Sequence, residues 1–111
     1  MPQYTFFPDL TETVPDIPPD SIVSRTIHSD DDVKVVMFGF ATGQELSEHT
    51  AAMPASLLFL KGNAALILGE ETQDAHAGTW VHMPPKLPHS IVAHTPVIML
   101  LILFRSAANK A

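Results

Sequence analysis

Short apolar runs separated by turn residues dominate the chain from residue 21 onward. "SIVSRTIH" (21–28) is followed by the acidic turn "SDDD", then by "VKVVMFGFA" (33–41) and the turn "TGQ". Runs of a few residues rich in Val, Ile and Phe, bounded by Asp, Ser and Gly, read as strands joined in a hairpin. "SLLFLKG" and "NAALILGEE" meet at Gly62-Asn63, a dipeptide that tolerates positive φ and suits a tight hairpin turn. "TQDAHAG" and "TWVHMP" meet at Gly78, and "HSIVAHT" meets "VIMLLILF" at Thr95-Pro96. No window sustains a 3.6-residue period, and no internal repeat is visible. Eight or nine evenly spaced strands predict an all-β fold, a small antiparallel β-barrel or two-sheet jelly-roll.

Both ends of the pattern carry a further expectation. Pro2, Pro8, Pro15, Pro18 and Pro19 crowd the first twenty residues, which disfavours helix and central strand alike. Residues 1–21 are therefore expected to form an extended arm on a barrel domain of 22–111. The last run, Val97 to Phe104, is apolar at every position and needs cover on both faces. The core supplies one side, and a second subunit is the simplest supply of the other, so a homodimer is expected.

Composition removes several function classes. A chain of 111 residues suits about one domain. Charged residues make up 16%, below the usual quarter or so, which again suggests that part of the surface is covered. Twelve acidic and six basic residues give a net charge of −6, and no Lys/Arg cluster offers phosphate neutralisation or attraction to an anionic membrane. With no cysteine there is no disulfide framework, thiolate nucleophile or Cys-based zinc site. "MPQYTFFPDL" lacks the basic and long apolar regions of a secretion signal. "VIMLLILF" is far short of the roughly 20 residues of a spanning helix. A cytoplasmic protein with no nucleic-acid or membrane partner is expected.

The six histidines are the main chemical candidates. His28, His76 and His94 fall at strand ends or turns and read as solvated. His82 alternates with Val81 and Met83, so it faces outward if they face the core. His49 and His89 have more informative surroundings. Gly43 precedes His49 by six positions and Gly62 follows it by thirteen; Gly78 precedes Pro84 by six, and Pro84 precedes His89 by five. This spacing resembles the paired motifs of the cupin superfamily, G-x5-H-x-H-x3,4-E-x6-G and G-x5-P-x-G-x2-H-x3-N, over about residues 33 to 104.

The resemblance implies a cupin barrel with His49 and His89 turned into one cavity. In cupins two motif-one histidines, a Glu and the motif-two His usually hold a divalent metal. Here the second His position is Ala51, the Glu position is Ala55 (Ser56 with the longer spacer), the motif-two Gly is Lys86, and the terminal Asn is Ala93. Two imidazoles alone are a poor cage, since catalytic zinc typically takes three protein ligands and non-haem iron two histidines and a carboxylate. Glu48 adjoins His49 and points to the opposite face of a regular strand. Glu45 shares its parity but lies about 13 Å along an extended chain. Glu70 and Glu71 read as a solvated turn.

The expected site is thus a pocket of His49, His89, Ala51, Ala55, Phe59 and Ala93, with Lys86 at its rim. Two paired imidazoles in an apolar cavity are expected to be mostly neutral at pH 7, through desolvation and mutual repulsion. Two functions fit. One is a module that binds a small organic ligand oriented by His49 and His89, without a firm cofactor. The other is a metal-dependent enzyme of the cupin type, a dioxygenase, isomerase or lyase, with Fe, Mn, Zn or Ni held weakly by the two histidines. A relic site with both rings simply buried and hydrogen-bonded is the plain alternative. No Ser or Thr lies in a recognisable nucleophile elbow.

Overall fold

Asp30 closes the first hairpin. Its carboxylate accepts the backbone N–H groups of Asp32 and Val33, both at 2.8 Å, so that β1 (Ile22–Ser29) returns as β2 (Val33–Phe40). A computed structural model describes residues 3–14 and 16–105. Beyond the hairpin come β3 (Glu45–His49), β4 (Ala55–Lys61), β5 (Ala64–Leu68), β6 (Glu71–Ala75), β7 (Trp80–Met83), β8 (His89–Ala93) and β9 (Val97–Phe104). They form two antiparallel sheets, a five-stranded one in the order β1-β2-β9-β4-β7 and a four-stranded one in the order β3-β8-β5-β6. The all-β jelly-roll read from the strand pattern is the observed fold.

The connections differ from the hairpins expected. Gly62-Asn63 joins β4 to β5, which lie in different sheets, and the links at Gly78 and Thr95-Pro96 likewise cross between sheets. A tight turn that reverses the chain serves a crossover as well as a hairpin, so its residues do not tell the two apart. Gly62 sits at φ +90°, and a Cβ there would collide with the Pro96 carbonyl oxygen. His94 N–H donates to Asn63 O at 2.9 Å, so two crossovers are pinned together. A true hairpin instead joins β5 to β6, with Leu68 opposite Glu71.

Between the sheets lies a core of Phe40, Leu57, Phe59, Leu66, Ile91 and Met99, each at most 2% exposed. A second cluster covers the outer face of the five-stranded sheet, where Met37, Ile98 and Leu100 meet Val14, Leu10 and Ile17. The chain before β1 is therefore not a simple extended arm. Asp9 caps a 3-10 turn at Leu10–Thr13, and Val14 is buried. Gly39 makes the socket, because a methyl there would come within 2.8 Å of both Val14 and Ile17. The second apolar face of β9 is thus covered in part by its own chain. Residues 1, 2 and 15 of the expected arm and 106–111 of the expected barrel domain lie outside the described residues. Among the described residues no helix is long and apolar enough to cross a membrane.

Candidate functional site

A bulge in β3 brings the two histidines together. The β3–β8 register runs from Leu46 opposite Ile91 to His49 opposite His89, three steps on one strand against two on the other. In a regular ladder Glu48 would stand opposite His89; the extra residue puts His49 there instead. Leu46 and Ile91 pack into the inter-sheet core, and His89 follows Ile91 at the same parity on β8. The bulge also inverts the parity expected for Glu45, which pairs with Val92 next to Leu46 and so faces away from the histidine pair.

The rings stand 4.1 Å apart between centroids, tilted by 59°. His89 is 6% exposed, whereas His49 is exposed, so the pair spans the edge of the interior. Each ring is tied in the same way. His49 Nδ1 lies 2.9 Å from Ser47 O, and His89 Nδ1 lies 2.9 Å from Leu87 O. A carbonyl can only accept, so Nδ1 is the donor in each ring, and the matching neutral tautomer has its Nε2 lone pair free. Burial holds the His89 imidazole below its ordinary pKa, against the opposing pull of the Leu87 carbonyl and with a smaller push from His49. This is the direction and the leading cause expected for a desolvated imidazole.

A metal held through Nε2 would have the orientation that backbone carbonyls commonly give ligating histidines. The donor count does not fit a firm site. Among the described residues no group of three or more His, Cys, Asp or Glu is placed to share an ion. Glu45, Glu48, Glu70 and Glu71 are all exposed.

The expected pocket residues divide. Ala55 begins β4 opposite Met83 at the end of β7, and the 84–88 loop leads from there to His89. Ala51 lies in the 50–54 loop, where its carbonyl accepts the Lys86 N–H at 2.7 Å. Phe59 and Ala93 belong to the other end of the sandwich. Ala93 is four residues along β8 from His89, on the order of 13 Å, and both side chains are packed in the core at 0% and 1% exposure. Ala55 and Phe59 face the interior from the five-stranded sheet and Ala93 faces it from the four-stranded one, so a shared motif or strand parity does not by itself make one pocket. Lys86 is exposed and holds φ +69°, a left-handed conformation that favours glycine, the residue the cupin motif has there.

Sequence reasoning missed several features. Leu68, which pairs with His89 on its other side, carries no chemical signal, and neither do the Ser47 and Leu87 carbonyls. His28 is not merely solvated: Nδ1 meets Thr5 Oγ1 at 2.9 Å and Nε2 meets Asp30 Oδ2 at 2.6 Å. His82 is exposed and bonded to Ser56 Oγ at 2.8 Å, on the face away from the core. His76 and His94 are exposed, as their turn positions suggest.

No family model matches the chain, and no curated protein matches it in sequence. Solved structures do. A conserved protein of unknown function from Streptococcus pyogenes superposes with a TM-score of 0.81 at 29% identity, over 93% of this chain and 90% of that one. A cupin superfamily protein from Desulfitobacterium hafniense gives 0.82 at 23% identity, over 94% of each chain. A polyketide cyclase from Streptomyces resistomycificus gives 0.70 at 16% identity, over 78% of this chain and 66% of that one. The cupin-fold neighbours thus include both an enzyme and a protein of unknown function. With its two-sheet topology and its histidines paired across β3 and β8, the chain is a small domain of the cupin fold.

Proposed function

We propose that the protein binds a small organic ligand at the open edge of the interior, oriented by the Nε2 atoms of His49 and His89 without a resident metal. The supporting observation is the pair itself: two rings 4.1 Å apart, both fixed through Nδ1, presenting two adjacent acceptors beside an apolar core. An apolar surround with few convergent polar groups is the usual composition of a small-molecule site. Two acceptors select a ligand with hydrogen-bond donors, such as a hydroxylated compound. The test is ligand-observed NMR with a panel of hydroxylated aromatics and polyols, against wild type and a His49→Ala/His89→Ala variant. Binding that disappears in the double variant supports the reading; equal binding by both contradicts it.

The second reading is a cupin-type enzyme, a dioxygenase, isomerase or lyase, using weakly held Fe, Mn, Zn or Ni. The Nδ1-to-carbonyl bonds favour it, since they prepare Nε2 for an ion, and the cyclase with the same fold is an enzyme. The missing carboxylate counts against it: an ion in an apolar setting would rest on two neutral nitrogens, with desolvation opposing its entry.

The protein is further proposed to form a homodimer in a reducing, cytoplasmic setting. On the outer face of the five-stranded sheet, β7 carries Trp80 opposite Leu58 of β4, and Trp80 is 63% exposed.

A further inference from the structure

Away from the histidine pair, on the outer face of the five-stranded sheet, a cleft of about 410 Å³ opens between the N-terminal segment and the strands. Its walls are Phe7, Leu10, Ile27, Val35 and Leu100, and its polar end is Thr5 and His28. The volume falls in the range of small-molecule sites, which combine apolar walls with a few fixed polar atoms.

The hydrogen bonds at that end set its polarity. Asp30 is a firm carboxylate, its pKa lowered to about 2 by the backbone N–H of Val33, the His28 side chain and the backbone N–H of Asp32. Its Oδ2 therefore accepts from His28 Nε2 at 2.6 Å, and wherever the ring is neutral its Nδ1 is then an acceptor. Thr5 Oγ1, 2.9 Å away, must then donate its only proton to Nδ1. What Thr5 offers the cleft is lone pairs alone. Asp30, Asp31 and Asp32 next to this end disfavour an anion.

We propose that this cleft is a second binding site, for a small apolar molecule with one uncharged hydrogen-bond donor, such as an alkylphenol or a medium-chain alcohol. The site is independent of the His49–His89 reading.

The test is a titration at pH 8, where imidazoles are ordinarily neutral, with 4-propylphenol, its methyl ether 4-propylanisole, and 4-propylbenzoate, followed by methyl NMR. The phenol should shift the Ile27, Val35 and Leu100 methyls to saturation. It should bind about two- to tenfold more tightly than the ether, the range of one neutral hydrogen bond, and the benzoate should bind weakest. Thr5→Val should remove the preference for phenol over ether, Thr5→Ser should keep it, and His49→Ala should change nothing. Absence of saturable shifts at those methyls, an ether that binds as tightly as the phenol, or a Thr5→Ser protein without the preference would overturn the proposal. Should Thr5→Val bind neither compound, wild type and Thr5→Ser decide the outcome.

Discussion

His49 stands opposite His89 because β3 carries one residue more than β8 between Leu46 and the pair. The pairing of two imidazoles at this edge of the fold depends on that irregularity. In a regular ladder a glutamate would face His89, and the interior would present a carboxylate and an imidazole in place of two imidazoles.

The depressed pKa of His89 has a definite consequence for stability. Folding holds its pKa below the ordinary value of 6.5, so as pH falls the unfolded chain takes up the proton first. Stability is then fully present above pH 6.5 and falls as pH drops toward the folded-state pKa, because the unfolded state binds more protons. Urea midpoints measured between pH 5 and pH 8 should fall on acidification in wild type and fall less steeply in His89→Gln. Parallel slopes for the two proteins would contradict the assignment.

Lys86 offers a gain. A side chain held at φ +69° costs on the order of 1 kcal/mol relative to glycine, partly offset by glycine's greater freedom when unfolded. Lys86→Gly is expected to raise unfolding free energy by about 0.5 kcal/mol while keeping the N–H bond to Ala51 O. A loss of stability in denaturant titration would contradict this account of the 84–88 loop.

Gly39→Ala tests the seat of the N-terminal segment. The added methyl would meet Val14 and Ile17 at 2.8 Å, and overpacking of this kind costs about 1–3 kcal/mol. The expected result is lower stability together with faster proteolysis before β1. An unchanged protein would mean that the segment does not pack there.

Trp80 tests the assembly. Trp80→Asp puts a charge at the most exposed apolar position of the outer face's β7 edge and should shift light scattering at micromolar concentration from dimer to monomer mass, with β-sheet circular dichroism retained. A wild-type monomer, or a variant that stays dimeric, would count against this surface.

Much of the fold was legible in the sequence because strand content is written in local pattern. Runs such as "VKVVMFGFA" and "VIMLLILF" have one reading, and the two histidines could be paired through motif spacing. Sheet membership was not legible, since Gly62-Asn63 has the same chemistry in a crossover as in a hairpin. The bulge at Ser47-Glu48 leaves no residue signature, so the parity of Glu45 was read the wrong way round. Phe59 and Ala93 show the limit of motif alignment: it fixes which way a side chain faces, while distance along the strand decides what it touches. The cover of β9 by Val14 and Ile17 depends on the missing side chain of Gly39, a contact between residues far apart in sequence.

Metal content tests the central claim most directly. Protein purified without a nickel column and dialysed against a chelator should hold well under one equivalent of iron, zinc, manganese or nickel, keep its β-sheet spectrum, and still bind a hydroxylated ligand found by NMR. Ala51→His combined with Ala55→Glu should raise metal affinity in the same assay, since both positions lie toward the His89 end of the sandwich. One tightly held equivalent in the wild-type protein after dialysis, or ligand binding that returns only when metal is restored, would contradict the metal-free site and favour the enzyme.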